Sequence, residues 1–121
     1  MKTAGMFDKE LMLIETTSAM TSTTTGSAVD FHGDDLYELN YRAVVGGTVS
    51  GTTPKIVLKI QGSDDKINWT DICVFPDITG AGEMNIKVRG KGKYRRAVAT
   101  VSGTNPSFGF VKVGVSAGGV L

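Results

Sequence analysis

The sequence predicts an all-β protein, and three observations carry that reading. Apolar residues recur with a period of two, no window long enough to matter keeps a helical period, and glycine is abundant where proline is scarce. The chain has 121 residues, with 16 glycines and three prolines. That length suits one domain with a core of its own, without disulfides or metals to hold it.

The strands follow in order. Leu11–Glu15 and Ala28–Phe31 are short candidates. From Leu36 to Val45 the odd positions Tyr37, Leu39, Tyr41, Ala43 and Val45 are apolar, while Glu38, Asn40 and Arg42 occupy even positions. Ile56, Leu58 and Ile60 then alternate with Val57, Lys59 and Gln61, and Trp69 opens a return strand after a polar turn. In Glu83–Arg89, Met84, Ile86 and Val88 face one way, and Glu83, Asn85, Lys87 and Arg89 the other. Strands with one dry and one wet face belong to antiparallel sheets. Tyr94–Val101 and Phe108–Val115 are rich in β-branched and aromatic residues, and the phase change between Phe110 and Val111 predicts a bulge or burial on both faces.

Eight short strands separated by turns, with no room for crossover helices, predict an eight-stranded antiparallel sandwich, and the count favours a jelly-roll layout. The expected core comprises Leu39, Tyr41, Val45, Ile56, Leu58, Ile60, Trp69, Ile72, Val74, Met84, Ile86, Val88, Val98, Phe108 and Val113. Residues 1–27 are expected to form an N-terminal strand and an extended arm, and residues 28–121 the sandwich. Glu15–Ser27 is polar and low in complexity, too poor in bulky apolar groups to build core, so Met1–Lys9 and Thr16–Ser27 are taken as arms. A small echo, "VSGTTPK" at 49–55 and "VSGTNPS" at 101–107, falls between strands each time. In an eight-stranded jelly roll these two loops are neighbours.

Composition excludes several function classes. Hydrophobic residues make up 40% and charged residues 21%, and the formal net charge is +1. Nothing in that balance attracts nucleic acid or a membrane surface. No apolar run reaches the roughly 18 residues that a spanning helix needs. Met1-Lys2 is not followed by an apolar stretch, so no secretory leader is expected. The single cysteine, Cys73, has no intrachain partner and reads as a small buried hydrophobe in a reducing cytoplasm.

The search for chemistry is correspondingly short. Asp64, Asp65, Asn68 and Asp71 are oxygen donors of the kind calcium prefers, but their spacing departs from a calcium loop, and Asp and Asn equally serve a plain hairpin turn. Trp69 reads as a large apolar plug. His32, beside Asp34 and Asp35, has no nucleophile or second ligand to work with. The glycines of "GKGKY" join two strands and do not lead into a helix, so they cradle no phosphate. No catalytic residue, cofactor or metal is expected, and the chain is not expected to be an enzyme. The most suggestive patch is basic: Lys87, Arg89, Lys91, Lys93, Arg95 and Arg96 across the Gly90–Gly92 hairpin. Only one of Arg95 and Arg96 can point inward, and a salt bridge is expected to satisfy it.

The stretch "FDKELMLIETTSAMTSTTTGSAVDFHG", with its D-K-x-L-x-L start and closing S-x-V-D, resembles the capsid cement (decoration) proteins of tailed bacteriophages. "IVLKIQGSDDKINWTDI" and "KYRRAVATVSGTNPSFGFVKVGV" are similar to the hairpins of that family, though Asp65-Lys66 stand where Asp-Gly is common. The resemblance implies a jelly-roll protein on the outside of a virion, made in the host cytoplasm, bracing the phage major capsid protein. It also implies a homo-oligomer, dimer or trimer, to which the apolar tail with Val115, Val120 and Leu121 could contribute. Thr23, Thr24 and Thr25 of the arm join the basic hairpin as candidate partner-binding residues. The alternatives are a carbohydrate- or receptor-binding sandwich using Trp69 and Asp64–Asp71, and a tail or baseplate structural protein.

Overall fold

A computed structural model describes residues 7–31 and 38–116, the side chains of residues 7–10 excepted. His32, Asp34, Asp35, Tyr37, Val120 and Leu121 lie outside the described residues. Every regular element described is a strand: β1 (Phe7–Glu15), β2 (Thr24–Thr25), β3 (Val29–Asp30), β4 (Glu38–Ser63), β5 (Thr70–Val74), β6 (Gly82–Arg89) and β7 (Tyr94–Ser116). They form one antiparallel sheet of seven strands.

The backbone of the fold is the pairing of β4 with β7, which runs from Tyr41↔Val115 to Ser63↔Tyr94. Two pairs of expected strands are thus continuous: the described part of Leu36–Val45, from Glu38 on, with Ile56–Gln61 in β4, and Tyr94–Val101 with Phe108–Val115 in β7. Along its other edge the first half of β4 pairs with β6, and the second half with β5. The second half of β7 pairs with β1, and its first half with β2 and β3.

The two halves of this ribbon bury their inner faces against each other. Tyr41, Ala43, Val45, Val111, Val113 and Val115 come from one half, and Ile56, Leu58, Ile60, Ala97 and Ala99 from the other; all belong to one buried cluster. The period of two is the cause, since each second residue of a strand faces the same side. Each fully buried Ile, Leu or Phe contributes about 1.5–3 kcal/mol over an exposed one. The expected phase change in β7 is present: Phe108 and Val111 are both buried, and the register shifts opposite them, between Gly46 and Val49.

The echo segments turn out to be paired with each other. Thr52 faces Thr104, flanked by Ser50↔Ser107 and Lys55↔Ser102, then by Val49↔Phe108 and Ile56↔Val101. Exchanging the two segments maps this register onto itself, so the crossing has a local twofold symmetry. The backbone repeats too: Gly51 and Gly103 have φ of 109° and 114°, Thr53 and Asn105 of 47° and 49°. A side chain on Gly51 would meet the Asn105 carbonyl at 2.5 Å, and one on Gly103 the Thr53 carbonyl at 2.6 Å. Only glycine permits that reciprocal approach.

Three expectations need correction. First, the described part of the N-terminal stretch is not a free arm. It runs extended along β7, with Thr16, Met20, Gly26 and Phe31 amides donating to the carbonyls of Val111, Phe108, Ala97 and Lys93. Met20 is buried in the core, so a segment judged too polar for core supplies one of its side chains. Second, Trp69 is half-buried and lies outside the core cluster, and Val74 is 49% exposed. Register decides this: β5 shifts against β4 between Ile60 and Gln61, so alternation read along β5 misplaces its faces. Third, Leu39, Ile72, Met84, Ile86 and Val88 are only partly buried at the margin of the core, and Val98 stands outside it.

Candidate interaction surfaces

The Asp64–Asp71 turn is built by its own side chains. One Asp65 oxygen accepts from the amides of Ile67 and Asn68 and from the Ser63 hydroxyl, and the other from Asn68 Nδ2, all at 2.8 Å. Asn68 and Ile67 amides, chiefly, hold the Asp65 carboxyl well below its ordinary range. Ser63 Oγ in turn accepts from the amides of Asp65 and Lys66. Asp64 reaches the neighbouring hairpin, accepting from the Lys93 amide at 3.1 Å. These carboxylates therefore close a hairpin, the reading that Asp and Asn at turn positions most often deserve.

The basic run does not form one patch. Lys87 and Arg89 stand exposed on the outer face of β6, and Lys91 and Lys93 are exposed at the tip between β6 and β7. Lys93 and Lys66 lie over the Tyr94 ring, 5.4 and 4.5 Å from its centroid. Arg95 is fully buried, which removes it from any surface contact. Its Nη1 donates to the Tyr41 hydroxyl, and its guanidinium lies 5.0 Å from the centre of the Phe31 ring. Among the described residues it meets a phenol and an aromatic ring, and no salt bridge of the expected kind.

Arg96, on the opposite face, organises a group that sequence reading missed. It lies 4.2 Å from the Trp69 ring centre, and its Nε donates to Gln61 Oε1 at 2.9 Å. Gln61 Nε2 donates to Asp71 at 2.9 Å, and Lys59 adds an ion pair to Asp71 at 3.5 Å. The Gln61 bond, then Lys59, lowers the Asp71 carboxyl below its usual value. Alternation alone places Lys59 and Gln61 on outward positions; only register brings Arg96 to them. Cys73 is half-buried, and desolvation pushes its thiol up to about 11.

Of the arm residues, Thr23 Oγ1 accepts from the Val101 amide at 3.0 Å and Thr24 Oγ1 donates to the Ser22 carbonyl, while Thr25 is exposed. Thr23 and Thr24 thus bind their own chain.

The two ends of the molecule differ in chemistry. At one end Asp64, Asp65, Lys66, Lys91 and Lys93 stand exposed around the two hairpins. The other end carries the crossing loops, the 16–23 segment and the 75–81 connection, with Ile78 bridged to Ile56 and Met20 to Phe108. Its exposed residues are mainly Thr, Ser, Gly and Asn, and Lys55 and Asp77 pair there at 3.9 Å. Thr53, Pro54, Thr79, Ser102 and Gly103 line a shallow groove at this end. Among the described residues no three His, Cys, Asp or Glu side chains converge. Compared with known proteins, the chain matches no family model, no curated protein and no solved structure.

Proposed function

We propose that this protein is a structural component of a tailed-phage virion, a jelly-roll decoration protein that braces the major capsid protein on the outer shell. The observation that carries the reading is the order of strand pairing. One half of the sheet runs β6, first half of β4, second half of β7, β1; the other runs β5, second half of β4, first half of β7, then β2 and β3. Divided where their register shifts, β4 and β7 supply two strands each, and with β2 and β3 taken as one edge strand this order supports the jelly-roll reading. The fold that the sequence resemblance implies is thereby supported. Function still rests on surfaces, since a fold hosts many functions.

Those surfaces suit a brace. Asp65 and Asp71 are engaged within the fold, and the exposed groups lie at a cationic hairpin tip and a hydroxyl-rich, nearly uncharged end. Hydroxyl and backbone groups can pair with a protein neighbour at little desolvation cost compared with ions. Many copies on one shell add avidity to weak single contacts. A sugar-binding alternative draws on the half-exposed Trp69, whose ring already carries Arg96.

The test is co-sedimentation of the purified protein with undecorated, expanded shells of its own phage, at low and high salt. Binding is expected, with a salt-sensitive share removed by Lys91→Glu and Lys93→Glu together. Absence of co-sedimentation at either salt ends the decoration reading. Glycan binding lost in Trp69→Ala would replace it with the sugar-module alternative.

A further inference from the structure

We propose that β6 is the contact through which two copies of this chain pair, edge to edge and antiparallel, about a twofold axis at Ile86. Among the described residues β6 hydrogen-bonds to β4 alone. No described residue pairs with the amides and carbonyls of its other edge, which are a template for another strand. Its eight residues keep an unbroken register with β4 and include no proline. Two of the usual devices for blunting an edge, bulges and proline, are missing from this one.

The charge pattern of the strand selects the occupant. Glu83, Asn85, Lys87 and Arg89 are exposed on one face, while Met84, Ile86 and Val88 are half-buried on the other. Antiparallel pairing about Ile86 sets Glu83 opposite Arg89 of the second copy and Asn85 opposite Lys87. On the inner face it sets Met84 opposite Val88 and Ile86 opposite itself. A shift of one residue puts charged residues opposite apolar ones, because the side-chain period is two. Moving the axis to Lys87 sets two lysines face to face, and parallel pairing brings like charges together. Moving it to Asn85 keeps an acid–base match, Glu83 with Lys87, over a shorter overlap. The half-buried inner residues, which pack only at the core's margin, gain the cover they lack.

The contact is small. A single strand pair falls short of the roughly 1,200 Å² buried in stable complexes, so the dimer is concentration-dependent. It does not rest on the decoration reading, and the two are tested by separate assays.

Sedimentation velocity across the micromolar range is expected to give a monomer–dimer equilibrium. Arg89→Glu sets two acids opposite each other twice, and Glu83→Lys does the same with two bases. Each variant alone should dimerise about tenfold more weakly or worse, as opposed like charges across strands imply. Mixed together, they restore two acid–base pairs per dimer and should form a heterodimer of wild-type strength, which a merely misfolded variant cannot do. Thermal melts of each variant guard against unfolding. A wild-type chain that stays monomeric, a dimer insensitive to both substitutions, or a mixture that fails to pair overturns the proposal.

Discussion

Arg95 Nη1 donates to the hydroxyl of Tyr41, joining the first half of β7 to the first half of β4 across the core. Neither residue is exposed to solvent, and Arg95 is the largest fully buried side chain among the described residues. Its Nε and Nη2 have no hydrogen-bond partner among the described residues. The guanidinium leans on the Phe31 ring, so among the described residues a cation sits in the core with one hydrogen bond and one ring face. Burying a charge without full pairing is costly, and apolar replacements of such groups are often neutral or stabilising.

Tyr41→Phe is therefore expected to destabilise the chain by about 1–3 kcal/mol, the usual cost of leaving a buried donor unmet. Arg95→Met combined with Tyr41→Phe, which replaces both partners by apolar groups, should cost less than Tyr41→Phe alone or raise stability. Urea unfolding of the single and double variants decides the point; the double variant as the more harmful change would mean that the cation is needed by the fold.

Alkaline pH should weaken the fold in two steps. Burial raises the Tyr41 hydroxyl above its ordinary 10.0, an effect Arg95 only partly offsets, and burial pushes the Cys73 thiol from 9.0 up to about 11. Both groups keep protons in the folded chain that the unfolded chain releases. The stabilisation is complete below pH 9.0 and declines from there through about 11, where Cys73 titrates. Cys73→Ala should remove the first part of the decline in a series of urea midpoints against pH.

Acid acts through Asp65 with the opposite sign. Its carboxyl is held below its ordinary 3.8 by the turn amides, so its contribution is present above that pH and is lost as pH falls further. Asp71 is shifted the same way by Gln61 and Lys59. Asp65→Ala should lower the melting temperature at neutral pH and flatten its fall in acid. An unchanged acid limb would show that the turn network does not report on folding.

The twofold crossing predicts an asymmetry between its loops. Thr53 and Asn105 share a left-handed backbone, at φ of 47° and 49°. Asn tolerates that region, whereas a β-branched residue is strained there. Thr53→Asn should stabilise by up to about 1 kcal/mol, while Gly51→Ala and Gly103→Ala should each destabilise by more than about 1 kcal/mol. Equal melting points for all three would refute the strain.

The N-terminal stretch is expected to behave as part of the domain. Met20→Ala removes a buried side chain and should cost about 2 kcal/mol or more. Deleting residues 1–27 strips β1, β2 and the Met20 bridge from β7, so the remainder should fail to unfold cooperatively.

Side-chain period and turn chemistry alone determine the all-β class, the inward faces of Ile56, Leu58 and Ile60, and the outward stance of Lys87 and Arg89. Local composition also identifies the Asp65 turn and the two matching loops, because these depend on residues close in sequence. Tertiary structure decided the rest. Alternation says that Arg95 and Arg96 point apart, but only the register of β7 against β4 says which enters the core. Trp69 and Val74 lie outward because of a register shift that no single strand records. The 16–27 segment joins the sheet through main-chain amides, which every residue carries and no side-chain pattern marks. The fusion of four expected strands into β4 and β7 follows from Thr52 meeting Thr104, a contact between residues far apart in sequence. Local physics selects each residue's face; pairing between distant segments selects what that face meets.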